Sequence, residues 1–169
     1  WPVTNHATQK LNNLLRLMHS LRKVADPEDV ISHAVSVLFE AFPAAERIAA
    51  VQKDINSTGI KIVAAGARRT DQNVEICLPV VRTAMQNSEA LLYVDHSKSG
   101  DGSSSDLRDG LVRTILAAPL IGGDGASFGA VQLDSTNNGR SLNSDDLEQL
   151  VVLNHVIAFA FEHATSSQK

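Results

Sequence analysis

The chain has 169 residues, of which 43% are hydrophobic and 20% charged, with a formal net charge of −4 and a single cysteine. That is enough chain for one full core, and the composition is globular rather than disordered. The acidic balance gives no electrostatic support to nucleic-acid binding, the lone Cys77 excludes an internal disulfide and fits a reducing, cytoplasmic setting, and no apolar run is long enough for a membrane span.

Residues 1–10 are polar and predict a frayed N-terminal tail. The chain opens on Trp1 without a signal-peptide pattern, which points to a segment of a longer protein whose effector domains lie elsewhere. Leu11, Leu14, Leu15, Leu17, Met18, Leu21 and Val24 recur at three- and four-residue steps and predict a helix with a broad apolar stripe. A stripe this broad predicts contact with a second copy of the chain as well as with the chain's own core.

Asp26-Pro27-Glu28-Asp29 is a helix start. Asp26 can cap, Pro27 suits the first turn, and the acids face the positive end of the dipole. The helix ends before Pro43, and His33 on it reads as a packed or surface histidine. Ile48–Lys53 and Ile60–Ala67 predict a hairpin around residues 56–59. Leu78–Gln86 predicts a short helix, and Leu91–Val94 a central strand. Ser97–Asp109 is rich in Ser, Gly and Asp and predicts a mobile loop over one sheet face.

Thr114–Ile121 and Phe128–Leu133 are apolar runs joined by Gly122-Gly123-Asp124-Gly125, a second hairpin with positive-φ positions at its turn. Pro119 lacks an N–H, so one side of its strand is an edge or unpaired there. Asn143 or Ser141 caps a last helix with Asp145, Asp146 and Glu148 in its first turns. That helix is apolar nearly all round from Leu150 to Phe161, so it must be covered on two sides.

Hairpin-paired strands with long terminal helices indicate an α+β fold built on a central antiparallel sheet. The terminal helices and the Asp26–Phe42 helix cover one face. The Leu78–Gln86 helix and the Ser97–Asp109 loop cover the other.

Three stretches carry a family resemblance. They are Ala117-Ala118-Pro119-Leu120 with Phe128-Gly129-Ala130-Val131-Gln132-Leu133-Asp134-Ser135 after the glycine turn, Gly139 to Glu148 leading into the last helix, and Glu89 to Asp95. In this order they resemble a GAF domain, a small-molecule-sensing regulatory domain of signalling proteins. The likeness spans residues 11–164, leaving tails at 1–10 and 165–169. A PAS-like sensor shares the same sheet-and-loop logic and is the second fold reading. The resemblance implies a small-molecule pocket on the sheet face away from the terminal helices. The residues offer no nucleophile, base and oxyanion donor together, so no catalytic residue is expected, and the cofactor is left open. Leu142 stands where the family has Phe. Cys77 is followed by Leu78 rather than His, which disfavours a covalent bilin. Asn138, Arg140, Leu142 and Asp146 match only part of the family's cyclic-nucleotide signature, because Leu147 replaces its last acid.

Other chemistry fits less well. Gly125-Ala126-Ser127-Phe128-Gly129 matches the G-x-S-x-G of a hydrolase elbow, which needs a helix after the serine, whereas the following residues alternate as a strand. The six histidines are dispersed, and Asp101–Asp109 lacks the alternating oxygen ligands of a calcium loop. Asp134 and Arg140 suggest a structural ion pair.

The expected ligand-binding residues are Tyr93, Asp95, Arg113, Thr114, Ala130 and Gln132. On the returning strand Phe128, Ala130, Gln132 and Asp134 alternate with Val131 and Leu133, so the two sets face opposite ways. Ala130 leaves room, Gln132 offers both donor and acceptor, Thr114 a hydroxyl and Arg113 a cation. The other reading of Gln132 is that it faces solvent or pairs with backbone. The expected partners are a small molecule, a second copy through Leu11–Val24 and Leu150–Phe161, and effector domains. No nucleic acid or membrane is expected. A dimerisation module with a vestigial pocket is the alternative function.

Overall fold

The computed structural model describes residues 2–95, 112–136 and 141–168, with side chains from residue 7 onward. The Ser97–Asp109 segment, Asn138 and Arg140 lie outside the described residues.

The elements are α1 (Pro2–Leu21), α2 (Pro27–Ala41), β1 (Arg47–Lys53), β2 (Ile60–Ala67), α3 (Leu78–Asn87), β3 (Leu91–Asp95), β4 (Arg113–Ile121), β5 (Ser127–Ser135) and α4 (Ser144–Ser167). The five strands form one sheet in the order β2-β1-β5-β4-β3, and every neighbouring pair is antiparallel. The α+β reading therefore holds. The sheet has helices α1, α2 and α4 on one face and α3 on the other.

The sequence explains each boundary. Asp26 accepts the Glu28 N–H at the start of α2, with Pro27 at the first position. Asn143 and Asp146 exchange side-chain-to-backbone bonds in a capping box at the start of α4, which settles the choice between Asn143 and Ser141. The end of α2 is closed from a distance. Arg68, just past β2, donates to the carbonyls of Phe39, Phe42 and Ala45 and lies over the Phe39 ring.

Three expectations are corrected. Helix α1 begins at Pro2, so residues 2–10 continue the helix that was predicted from Leu11. Those residues lack apolar periodicity, but nothing after Pro2 breaks a helix, and Lys10 is tied to Asp145 of α4 at 2.6 Å. Likewise α4 runs through the expected boundary at residue 164 to Ser167. Strand β3 is an edge strand, not a central one: it pairs with β4 alone, and Leu92, Tyr93 and Val94 are exposed.

The third correction concerns Phe128. Pairing of β4 with β5 steps from Leu120–Gly129 to Ile121–Ser127, so Phe128 is an extra residue in a bulge. The bulge breaks the alternation and turns Phe128 to the α4 side, where its ring stacks on Phe161 at 5.0 Å. Beside it, Gly129 admits no side chain, because a Cβ there would lie 2.3 Å from the Val51 carbonyl of β1. Gly125 takes φ +83° in the turn.

The larger core lies between the sheet and the three helices. Leu17, Leu38, Phe42, Ile48, Leu116, Leu120, Leu133, Leu150, Leu153 and Ile157 are its largest fully buried side chains. Leu142 is buried in this core. The smaller core, under α3, gathers Val51, Val80, Val81, Ala84, Met85, Ile115, Ala117 and Ala130, and Cys77 packs against it as a small apolar residue. Asn154 is the polar exception in α4. Its amide donates to the Ala118 and Pro119 carbonyls, at the point where β4 has run past the end of β3. Pro119 pairs with Ala130 of β5 only, so its missing N–H falls at an unpaired edge.

Helices α1 and α4 run side by side in the same direction. Lys10, midway along α1, meets Asp145 at the start of α4, while Met18 and Arg22 share a groove with Phe159 and His163 further along.

Candidate functional site

The strands place five of the six expected site residues on one face. Ala130 and Ile115 face α3, and the register sets Tyr93 opposite Ile115 and Asp95 opposite Arg113. Gln132 and Asp134 follow Ala130 by alternation. Thr114 does not join them. It lies between Arg113 and Ile115 and so points to the helical face, where its hydroxyl accepts the Leu142 N–H at 3.3 Å.

Gln132 is buried and fully engaged. Its Oε1 accepts the Cys77 N–H at 2.8 Å, and its Nε2 donates to the Glu75 carbonyl at 2.9 Å and to Asp134 at 3.3 Å. The backbone-pairing reading of Gln132 is therefore the one seen. The amide holds the stretch leading into α3 down on the sheet, with all three of its commonest bonds made.

The centre of the site is Asp134, whose carboxylate is almost wholly buried. The Arg47 guanidinium grips one of its oxygens through two nitrogens. Arg113 reaches the other oxygen at 3.2 Å and also donates to the Glu75 carbonyl at 3.3 Å. Among the described residues, the cations on Asp134 are thus Arg47 and Arg113, with the Gln132 amide beside them. Glu46 flanks the group. It lies 3.6 Å from Arg47 and accepts from Gln72 at 2.9 Å and from the Thr136 backbone and hydroxyl at 3.1 Å. Two arginines and two carboxylates balance in charge, as a low-dielectric site requires. Arg47, Glu46 and Gln72 were not foreseen from the sequence, because nothing local marks them: their partners are far away along the chain.

Toward the edge strand the face opens. Tyr93 is 45% exposed and the Arg113 side chain 27%, so a phenol and a guanidinium meet solvent beside the buried cluster. Asp95 lies next to them and is itself engaged. Ala130 forms part of the floor under α3.

Two cavities lie elsewhere. A small one of about 210 Å³ sits between the β1–β2 turn and α3, beside Asp54 and Arg82. A groove of about 680 Å³ runs between α1 and α4, with walls from Leu15, Met18, Val156 and Phe159. Neither includes Gln132. Among the described residues, no group of three or more His, Cys, Asp or Glu side chains could hold a metal ion. Ser127 does not form a hydrolase elbow: it opens strand β5, is buried, and its hydroxyl lies 3.3 Å from that of Ser88. His33 is exposed, with its ring nitrogen on the Asp29 carbonyl.

No protein-family model and no curated protein matches the sequence. Solved structures do match. The GAF domain of a phosphoenolpyruvate-protein phosphotransferase from Coxiella burnetii aligns with a TM-score of 0.71 at 15% identity, covering 96% of this chain and 98% of that one. The GAF domain of a putative sensor histidine kinase from Pseudomonas syringae pv. tomato aligns at 0.66 and 16%, covering 99% and 96%. A free methionine-R-sulfoxide reductase from Neisseria meningitidis, solved with its substrate, aligns at 0.71 and 15%, covering 94% and 91%. At such identities the likeness defines the fold, and the fold is that of a GAF domain. Among the described residues, no helix is long and apolar enough to cross a membrane.

Proposed function

We propose that the chain is a non-catalytic sensor or regulatory module. It binds a small molecule on the α3 face of the sheet and passes the signal through α1 and α4, which pair with a second copy. The observation that carries the ligand half is the open rim of that face. There Tyr93, Asp95 and Arg113 adjoin a buried, charge-balanced cluster, with Ala130 as floor and Gln132 fixing the neighbouring segment. Arg113 is the anchor of choice, because a fork of donors can bind a carboxylate or similar anion while one nitrogen stays on Asp134. Several neighbours of this fold are domains of sensor and phosphotransfer proteins, which supports a regulatory role.

The observation for the pairing half is apolar surface. Leu11, Leu15 and Met18 of α1 and Val152 and Phe159 of α4 are all half-exposed or more. The alternative, a pairing module whose pocket holds nothing, separates from the main reading by one measurement. Native mass spectrometry of protein purified from cells is expected to show a retained small molecule that Arg113→Ala loses. A bare mass in both proteins would leave only the pairing role.

A further inference from the structure

We propose a second small-ligand site, in the cavity between the β1–β2 turn and α3. It takes a doubly charged oxyanion, a phosphate monoester or a small dicarboxylate, held between Lys53 and Arg82. The site is separate from the Tyr93–Arg113 rim and does not depend on it.

The first argument is an inventory of unspent donors. Lys53 ends β1, Thr58 lies in the turn, and Arg82 and Gln86 stand four residues apart on α3, a spacing that puts them on one helix face. All four line the same cavity. Among the described residues, none of these four side chains has a hydrogen-bond or ion-pair partner. Lys10, Arg16 and Arg69, by contrast, each rest on a carboxylate.

The second argument is charge. Asp54 is the one acid in the lining, and it is already committed. Its oxygens accept the Asn56 N–H and the Ser57 hydroxyl, each at 3.1 Å, and the Lys61 charge lies near it. Lys53 and Arg82 are thus left to a molecule from outside the chain. A guanidinium offers a fork of donors to two oxygens, and an ammonium adds a compact charge, so the pair matches a dianion.

The third argument is size. The cavity holds about 210 Å³, below the roughly 300–1,000 Å³ of a drug-sized ligand site, so its occupant is small. Ile60 and the buried Met85 supply an apolar wall for a short carbon chain beside the charges. Helix α3 also covers the smaller core and follows Cys77, which Gln132 holds to the sheet. An anion joining Lys53 of β1 to Arg82 of α3 would tie that cover to the sheet at another point.

The test is titration of the 169-residue chain with sodium phosphate and, separately, sodium succinate. Ionic strength is held constant at about pH 7.5, where a phosphate is mostly doubly charged, and amide chemical shifts are followed. Saturable shifts are expected at Thr58, Gly59, Arg82 and Gln86. Lys53→Gln and Arg82→Gln change exposed side chains, so the Leu133 and Ile157 amides are expected to keep their shifts. Each is expected to weaken binding about fivefold, and the double variant to lose saturation. Arg22→Gln, at an exposed cation outside this cavity, is expected to bind as the parent does. Saturation by phosphate or by succinate supports the site, and the probe that saturates says which oxyanion it prefers. Saturation by neither overturns it. So does saturation that survives in the double variant, or an equal loss in Arg22→Gln.

Discussion

At the scale of single residues, the buried amide of Gln132 shows how a side chain with ligand-like chemistry can be used to tie the chain to itself. Leucine in its place would leave the Cys77 N–H without its partner and the Glu75 carbonyl with only the longer bond from Arg113. Orphaned buried polar groups cost about 1–3 kcal/mol each in full desolvation. Gln132→Leu is therefore expected to lower unfolding stability by about 1–3 kcal/mol, read by urea denaturation. An unchanged midpoint would mean that solvent reaches these groups. The sequence made Gln132 conspicuous, as a polar residue among apolar ones, but not its role. Its partners lie 55 and 57 residues away and are backbone atoms, which no side-chain pattern announces. Arg68 was silent for the same reason: it closes the end of a helix 26 residues earlier through carbonyls alone. Asp134 is the intermediate case. A charged residue inside an apolar strand demands a cation, but Arg47 and Arg113 lie 87 and 21 residues away along the chain and no local pattern points to them.

At the scale of elements, the sequence pattern located the four helices and five strands of the described residues, and failed where tertiary context changed the count. The bulge at Phe128 inserts one residue, and nothing in Ser127-Phe128-Gly129 distinguishes a bulge from regular alternation. β3 reads like a central strand because its residues are apolar, although its position at the sheet edge leaves them exposed. The β1–β2 connection was better marked. Asp54 accepts the Asn56 N–H and the Ser57 hydroxyl, each at 3.1 Å, closing the turn as an Asx motif. The Asn56 bond first, then the Ser57 bond and the nearby Lys61 charge, hold its carboxyl below the usual carboxylate value. A group lowered in this way stabilises the folded state above its unfolded value, and that contribution fades as pH falls through the folded value. The melting temperature of Asp54→Asn is therefore expected to lie below that of the parent at neutral pH and to converge on it below about pH 3–4. A constant gap across the range would show that Asp54 acts through shape and not charge.

At the scale of the molecule, the two faces of the sheet divide the labour. One carries the polar cluster and its open rim, and the other carries the helices that leave apolar surface uncovered. Met18→Glu places a charge in that surface at a side chain already 49% exposed, so the fold itself has little to lose. Under the proposed pairing it is expected to be a monomer at micromolar concentration in sedimentation velocity where the parent pairs, with unfolding stability held within about 0.5 kcal/mol. A dimer unaffected by this change would move the contact away from α1.

The side-by-side, same-direction course of α1 and α4 has a mechanical meaning. Any domain joined before Pro2 and any joined after Ser167 would sit at opposite ends of this helix pair, separated by more than about 36 Å, the length of α4 alone, because α1 starts well before α4 does. The sheet hangs from the side of that shaft. It is gripped by Asn154 on the edge carbonyls of β4, and by Phe161 and Glu162 on the β4–β5 hairpin. The sheet is thus a side load on the shaft: force can pass from α1 to α4 directly where Lys10 meets Asp145, and strain in the sheet reaches α4 through the three grips.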